Sequence, residues 1–335
     1  MKLKLIPFML VIALVLYGCS SAPSGNSSES GSGSKQKRIA YFSAGATNNY
    51  LQTGIDHAEK TAKELGMNID VFDGRFDPLA QLNQVQNAIT SGKYDGFVIE
   101  AVDGNQLCKI ATKDATAKGI AVAAINIELC GATDTAAEGT LTFVGGQGVE
   151  VTQNILKKIF NDKPEGGKIV AIGGPATGTP YLNMKKAFDI EMPKNPKWKL
   201  IGMHSTDYTA NQAFQVAQNI LQANPDIDVI YSNYSGMTVG VVKAKKAASN
   251  KDVKIYDFGG DKWAFDAIKK GDIQQTIIML PKEEVQRGIE ALDNHFNGKE
   301  VQKFYDLTKE SILPGTPYVE LDNIKDFEAK GLPEY

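Results

Sequence analysis

The chain has 335 residues, with 36 Lys and Arg against 39 Asp and Glu, for a formal net charge of −3. No basic stripe runs along it, which excludes nucleic acid and anionic lipid surfaces as partners. None of the three histidines stands at ligand spacing from a cysteine, which argues against a metal centre.

The opening segment is set apart from the fold. Lys2 and Lys4 form a positive start, Leu5 to Leu16 is almost wholly apolar, and Tyr17-Gly18-Cys19 follows. A run this short, closed by a small residue and a cysteine, is a secretory leader rather than a spanning helix. It resembles the bacterial lipobox, which implies cleavage before Cys19 and lipidation of that cysteine. An uncleaved N-terminal anchor is the other reading, and both place the rest of the chain outside the cytoplasmic membrane. Residues Ser20 to Lys37 are dominated by Ser and Gly and bury too little surface to fold, so they form a flexible tether. Removing Lys2 and Lys4 takes the net charge to about −5. The remaining chain, roughly 300 residues, is long enough for two lobes.

Arg38 to Ala44 is an apolar run ended by Gly45, a buried strand. Leu51, Ile55, Ala58, Ala62 and Leu65 then lie on one face of a helix that Gly66 ends. Between them sits a polar turn with Thr47, Asn48, Asn49 and Tyr50. Met67–Asp73 is the next strand. Asp77-Pro78 caps and starts a helix through Leu79, Leu82, Val85 and Ile89, which stops at Gly92. Strand Gly96–Val102, a helix from about Asn105 to Lys118, and strand Ile120–Asn126 continue the alternation, with no hairpin signal. The sheet is therefore parallel.

Ile127 to Thr140 breaks this rhythm and is assigned to a lobe boundary. Strands then follow at Leu141–Gly145, Lys168–Gly174, Trp198–Ser205, Asp228–Asn233, Lys254–Gly260 and Gln274–Leu280. Helices lie between them at Val149–Phe160, Tyr181–Ile190, Asn211–Ala223, Gly236–Ala248 and Lys262–Lys270, and a last helix spans Glu283–Phe296. The fold class is thus α/β, two Rossmann-like doubly wound parallel-sheet lobes joined by a hinge. The strand ends at Ser43, Glu100, Asn126, Asn233 and Gly259 are small or polar, and loops there line a cleft between lobes.

In an exported chain the pair Cys108 and Cys130 forms a disulfide, two reduced thiols being the alternative. Gly145-Gly146 and Gly173-Gly174 match neither phosphate-binding glycine pattern and serve as tight turns. His57, His204 and His295 lie beside no nucleophile elbow, and no carboxylate pair singles itself out for catalysis. The chain is read as a binding protein without a cofactor.

The segments Ile39–Gly66, Asp95–Leu107, Gly119–Asn126, Asp228–Ala244 and Ile255–Ile273 together resemble the periplasmic sugar-binding proteins of ABC importers, the ribose- and galactose-binding type. The resemblance spans nearly the whole chain after Lys37. It implies ligand residues Asn48, Tyr50, Glu100 and Asn126 on one lobe and Tyr208 and Asn233 on the other. Asn49, Asn183 and Asp261 are further candidates, and Tyr181, Tyr234 and Trp263 form a surrounding group. Such residues suit a polyhydroxylated ligand, since amides and carboxylates meet hydroxyls and rings cover C–H faces.

Several family positions differ. Asn126-Ile127 replaces Asp-Arg, no arginine occurs in Tyr181–Met184, Gly259 replaces an aspartate, and Met279 replaces a glutamine. The site is therefore less charged and roomier than a ribose site. The cysteine pair is similar to that of autoinducer-2 and rhamnose binders, which keeps deoxy-sugars, polyols and furanose-like signals open. The resemblance implies residues 38–140 with 280–312 as the N-terminal lobe and residues 141–279 with 313–335 as the C-terminal lobe. It also implies a monomer, lipid-anchored on the outer side of the cytoplasmic membrane, that binds a small sugar or polyol and docks on an ABC permease. The other functional reading is a sensor that presents an autoinducer-like or nucleoside ligand to a membrane receptor.

Overall fold

The computed structural model describes residues 36–132, 134–248 and 252–335. The leader, Cys19 and nearly all of the proposed tether lie outside these residues. From Arg38 the chain runs β1 (Arg38–Ser43), α1 (Asn49–Glu64), β2 (Asn68–Asp73), α2 (Pro78–Ser91), β3 (Gly96–Glu100), β4 (Ala121–Ile125) and β5 (Thr142–Gly145). It continues α3 (Val149–Asp162), β6 (Gly167–Gly173), α4 (Thr179–Glu191), β7 (Trp198–Ser205), α5 (Ala210–Ala223), β8 (Val229–Ser232) and α6 (Ser235–Ala247). Then come β9 (Lys254–Gly259), α7 (Lys262–Lys269), β10 (Gln275–Ile278), α8 (Pro281–Phe296), β11 (Phe304–Asp306), β12 (Tyr318–Val319) and α9 (Ile324–Ala329).

These strands form two sheets of six, ordered β11-β5-β4-β3-β1-β2 and β12-β10-β9-β8-β6-β7. All pairs are parallel except β10 with β12. The central strands are buried on both faces, as helices on both sides of a parallel sheet require. In the first sheet, Phe42, Phe97 and Ile99 face one apolar cluster and Ile39, Tyr41 and Val98 the other. In the second, Val170 and Ile230 face one cluster and Ile169 and Tyr231 the other.

Local chemistry sets the helix starts. The Asp77 carboxylate accepts from the amides of Leu79 (2.9 Å) and Ala80 (3.0 Å), with Pro78 at the first helical position and Gly92 left-handed at the end. The segment expected as a helix over 105–118 is instead a π-helical turn, Ile110–Ala115, and a short 3₁₀ turn, Thr116–Lys118. Just before it, Cys108 is bonded to Cys130, tying this segment to the loop after β4. With the cysteines 22 positions apart, the chain-entropy model gives a stabilisation of roughly 3 kcal/mol.

One boundary is corrected. The strand assigned to the second lobe at Leu141–Gly145 belongs to the first sheet, where Ala123, Ala124 and Ile125 pair with Thr142, Phe143 and Val144. The irregular loop before it joins two adjacent strands of one sheet rather than two lobes. The crossing comes later, at Gly146–Gly148, and α3 then packs on the second sheet. The chain returns at Met279–Leu280, after which Val285, Ile289 and Leu292 of α8 pack on the first sheet. It crosses again after β11, and β12 and α9 join the second sheet's side.

Candidate functional site

The carboxyl ends of β1, β3 and β4 place a connected set of polar groups beside α1. Asn48 caps that helix, its side-chain oxygen accepting from the Leu51 amide at 2.9 Å. That cap holds the first turn and points Tyr50 inward, where it is 6% exposed, while Asn49 faces solvent. The Tyr50 hydroxyl donates to the carboxylate of Glu284, in the first turn of α8. Asn126, in the left-handed region at φ 63° just after β4, turns its amide into the same place. Its Nδ2 donates to the Tyr50 hydroxyl at 2.5 Å and to Glu284 Oε2 at 3.2 Å, and its Oδ1 accepts from Gln147 Nε2 at 2.7 Å.

Behind this group lies Glu100, 3% exposed at the end of β3. Its Oε2 accepts from the Tyr41 hydroxyl at 2.8 Å and from Ser43 Oγ at 3.1 Å. Burial pushes the Glu100 carboxyl up to about 7. Burial, with the nearby Glu100 charge, pushes Glu284 up to about 8. The hydrogen bonds of both acids come from hydroxyl and amide donors, and among the described residues neither forms an ion pair. Gln81 of α2 braces this wall, donating to the Glu100 carbonyl at 2.8 Å and accepting from the Val102 amide at 2.8 Å.

The carboxyl edge of the second sheet carries a more aromatic group. Tyr208 is left-handed at φ 66°, and its ring lies over Gly174, where an added Cβ would come within 2.0 Å of the ring. Glycine at 174 is what admits this ring. Tyr234 meets Tyr208 edge-on, with centroids 5.9 Å apart. Asn233 accepts from the Tyr231 hydroxyl at 2.8 Å. Asp261 caps α7 through the Ala264 amide at 2.8 Å, and burial raises its pKa. Asn183, on α4, donates to the Gln147 carbonyl at 3.2 Å and so links the second lobe to the crossing segment. The turn at Gly259-Gly260 is held by Ser235 Oγ and Thr276 Oγ1, which accept from the Gly260 amide at 3.1 and 3.0 Å.

Between the sheets, where the chain crosses, lies a narrow cavity whose free interior of about 10 Å³ has room for about one water. Its walls come from both lobes: Tyr50, Gln147 and Glu284 from one side and the crossings, Phe258, Ile278 and Met279 from the other. Of the residues chosen from sequence, Tyr50 lines this cavity and Asn126 is bonded to three of the groups around it. Asn48 and Asp261 serve as helix caps and Glu100 stands one layer behind. Tyr208 and Asn233 follow β7 and β8 at the carboxyl edge of the second sheet and Asn183 lies on α4, none of the three among the residues that line the cavity. Sequence reading missed Gln147 and Glu284. A signal existed for Glu284, an acid in the first turn after Pro281 with an apolar face on its far side. Gln147, between two glycines at a crossing, carried a weaker one.

The arrangement supplies donors and acceptors in both roles beside aromatic rings. It can hold hydroxyl groups.

Residues 39–300 match the family described as "Periplasmic binding protein domain". Among curated relatives, the ribose import binding protein RbsB of Bacillus subtilis (strain 168) is 26% identical over 306 residues, covering 90% of this chain and 95% of that protein. The D-apiose import binding protein of Paraburkholderia graminis is 26% identical over 257 residues, covering 77% of this chain and 80% of the other. Among solved structures, the Caulobacter myo-inositol binding protein bound to myo-inositol superposes with a TM-score of 0.77. That match covers 89% of this chain and 98% of the other at 20% identity, a likeness of fold.

Proposed function

Because the chain belongs to the periplasmic binding protein domain family, we propose that it is the lipid-anchored solute receptor of an ABC importer for a small sugar or polyol. The observation that carries this reading is the cavity between the sheets, walled by Tyr50, Gln147 and Glu284 on one side and by second-lobe residues on the other. A solute held there touches both lobes only when they are closed, so binding shifts the hinge toward the closed state. The relatives that take ribose and D-apiose point to a ligand of about pentose size. Among the described residues Glu100 and Glu284 take hydrogen bonds from neutral donors rather than from cations, which fits a neutral, polyhydroxylated solute. Micromolar affinity requires about −8 kcal/mol, within reach of several satisfied hydroxyls and one covered ring face. Lipidation at Cys19 would keep the monomer at the membrane, beside its permease.

Two measurements on one preparation test this. Native mass spectrometry of protein extracted from membranes is expected to show the lipid on Cys19 and any retained solute. A thermal-shift screen of pentoses, hexoses, polyols and nucleosides is expected to raise Tm by roughly 5 °C for at least one sugar or polyol at about 100 times Kd. No shift with any of them would overturn the solute assignment, and an unmodified Cys19 would overturn the anchor.

A further inference from the structure

The segment after α9 leaves the second lobe and reaches the first. Ile324 and Phe327 of α9, and Leu332 after it, are buried in the second lobe's core. Two residues further on, the contacts change sides. The Glu334 carboxylate accepts from the Lys282 amide at 2.7 Å, in the first turn of α8, the helix that packs on the first sheet. Tyr335 then turns into the cleft. Its ring meets Tyr50 edge-on, with centroids 5.6 Å apart at 75°, and packs with the small cluster of Ala44, Tyr50 and Leu51.

Tyr335 also keeps hold of the second lobe. Its hydroxyl donates to the Gly259 carbonyl at 2.8 Å, and its main-chain oxygen accepts from the Lys262 amide at 2.8 Å, at the start of α7. One residue thus bonds to the end of β9 in the second lobe while its ring leans on Tyr50 in the first. The Gly259-Gly260 turn that receives the hydroxyl is itself pinned by Ser235 and Thr276, so this attachment is to a rigid point.

We infer that Glu334 and Tyr335 form an intramolecular strap that fastens the two lobes beside the cavity and makes Tyr335 a wall of the solute site. An edge-on aromatic pair and a set of hydrogen bonds, each modest alone, together bias the hinge toward the narrowed state before any solute arrives. A solute then meets a cleft already part-closed and pays less to close it. An ordered ring at Tyr50 also needs no rearrangement to cover a C–H face. The part of this inference that concerns affinity rests on the cleft being the solute site; the part that concerns the lobes does not.

The test uses the full chain and three variants, Tyr335→Ala, Tyr335→Phe and Glu334→Ala. Without solute, small-angle scattering is expected to give a larger radius of gyration for Tyr335→Ala than for the unmodified protein, with Glu334→Ala between them. Hydrogen exchange is expected to speed up by about tenfold at the Lys262 amide in Tyr335→Ala and at the Lys282 amide in Glu334→Ala. Tyr335→Phe keeps the ring and guards against loss of folding; it is expected to shift the scattering in the same direction by less. Titrations with D-ribose, D-apiose, xylitol and myo-inositol then read affinity, and Tyr335→Ala is expected to weaken the tightest of them about tenfold. Unchanged scattering in all three variants would overturn the strap. Tighter binding by Tyr335→Ala would show that the ring obstructs the site and would overturn its role as a wall. If none of the four solutes bound the unmodified protein, the solute assignment would fall while the scattering and exchange results still decided the strap.

Discussion

Tyr50→Ala is expected to weaken solute binding by about 100-fold, the loss of roughly 2–3 kcal/mol that removing a buried aromatic anchor produces. The residue is 6% exposed and packs with Ala44, Leu51, Val102, Met279 and Tyr335, so truncation also opens a void. That void, with the hydroxyl lost from Glu284 and Asn126, is expected to lower stability by about 3 kcal/mol. Tyr50→Phe separates the two effects. It keeps the ring and removes only the hydroxyl, and is expected to cost about 1–2 kcal/mol of stability with a smaller loss of affinity. Calorimetric titration and urea denaturation of the two variants read both quantities. Affinity within about twofold of the unmodified protein for Tyr50→Ala would remove Tyr50 from the site.

The second large effect follows from the buried acids. Glu284 stands near 8 in the folded chain against an ordinary 4.5, raised first by burial and then by Glu100. A carboxyl held above its unfolded value favours the fold while it is protonated. Its contribution is therefore complete below about pH 4.5 and is lost as pH rises through about 8. Glu100, raised by burial to about 7, acts in the same direction. Stability is thus expected to fall across pH 5 to 9, and Glu284→Gln to flatten that slope. At pH 9 the variant is expected to be the more stable by on the order of 2 kcal/mol, because a neutral amide replaces a buried charge. Denaturation curves at matched ionic strength check this. Parallel slopes for the two proteins would mean that Glu284 ionises freely in the fold.

Much of the fold could be read from local pattern because local chemistry decides it. The Asp77-Pro78 start and the Gly92 stop of α2 are encoded within the helix's own ends. Strands such as Gly96–Glu100 and Ala121–Ile125 are apolar throughout because both faces of a parallel sheet are covered. The lobe boundary was not legible in the same way. The loop between Ile125 and Thr142 is long and polar, as a linker is, yet it joins neighbouring strands of one sheet; only long-range pairing reveals that. The two-residue strand Tyr318–Val319 is too short for any period to show.

The site divided along the same line. Tyr50 and Asn126 sit at strand and helix ends, where position alone marks them. Glu284 lies 158 residues from Asn126 along the chain and meets it only because α8 returns to the first sheet. Tyr335 comes to Tyr50 from the far side of the second lobe. Other choices proved to have local duties: Asn48 and Asp261 are helix caps, a use of Asn and Asp that the sequence around them also permits.

On the proposed function, a small polyhydroxylated solute lies between the two sheets and is touched by both lobes. A crystal structure with the solute that gives the largest thermal shift tests it most directly. The solute is expected beside Tyr50, Asn126, Gln147 and Glu284, covered from the second lobe by Phe258 and the residues at the carboxyl edge of its sheet. Solute bound outside this cleft, or touched by one lobe alone, would contradict it.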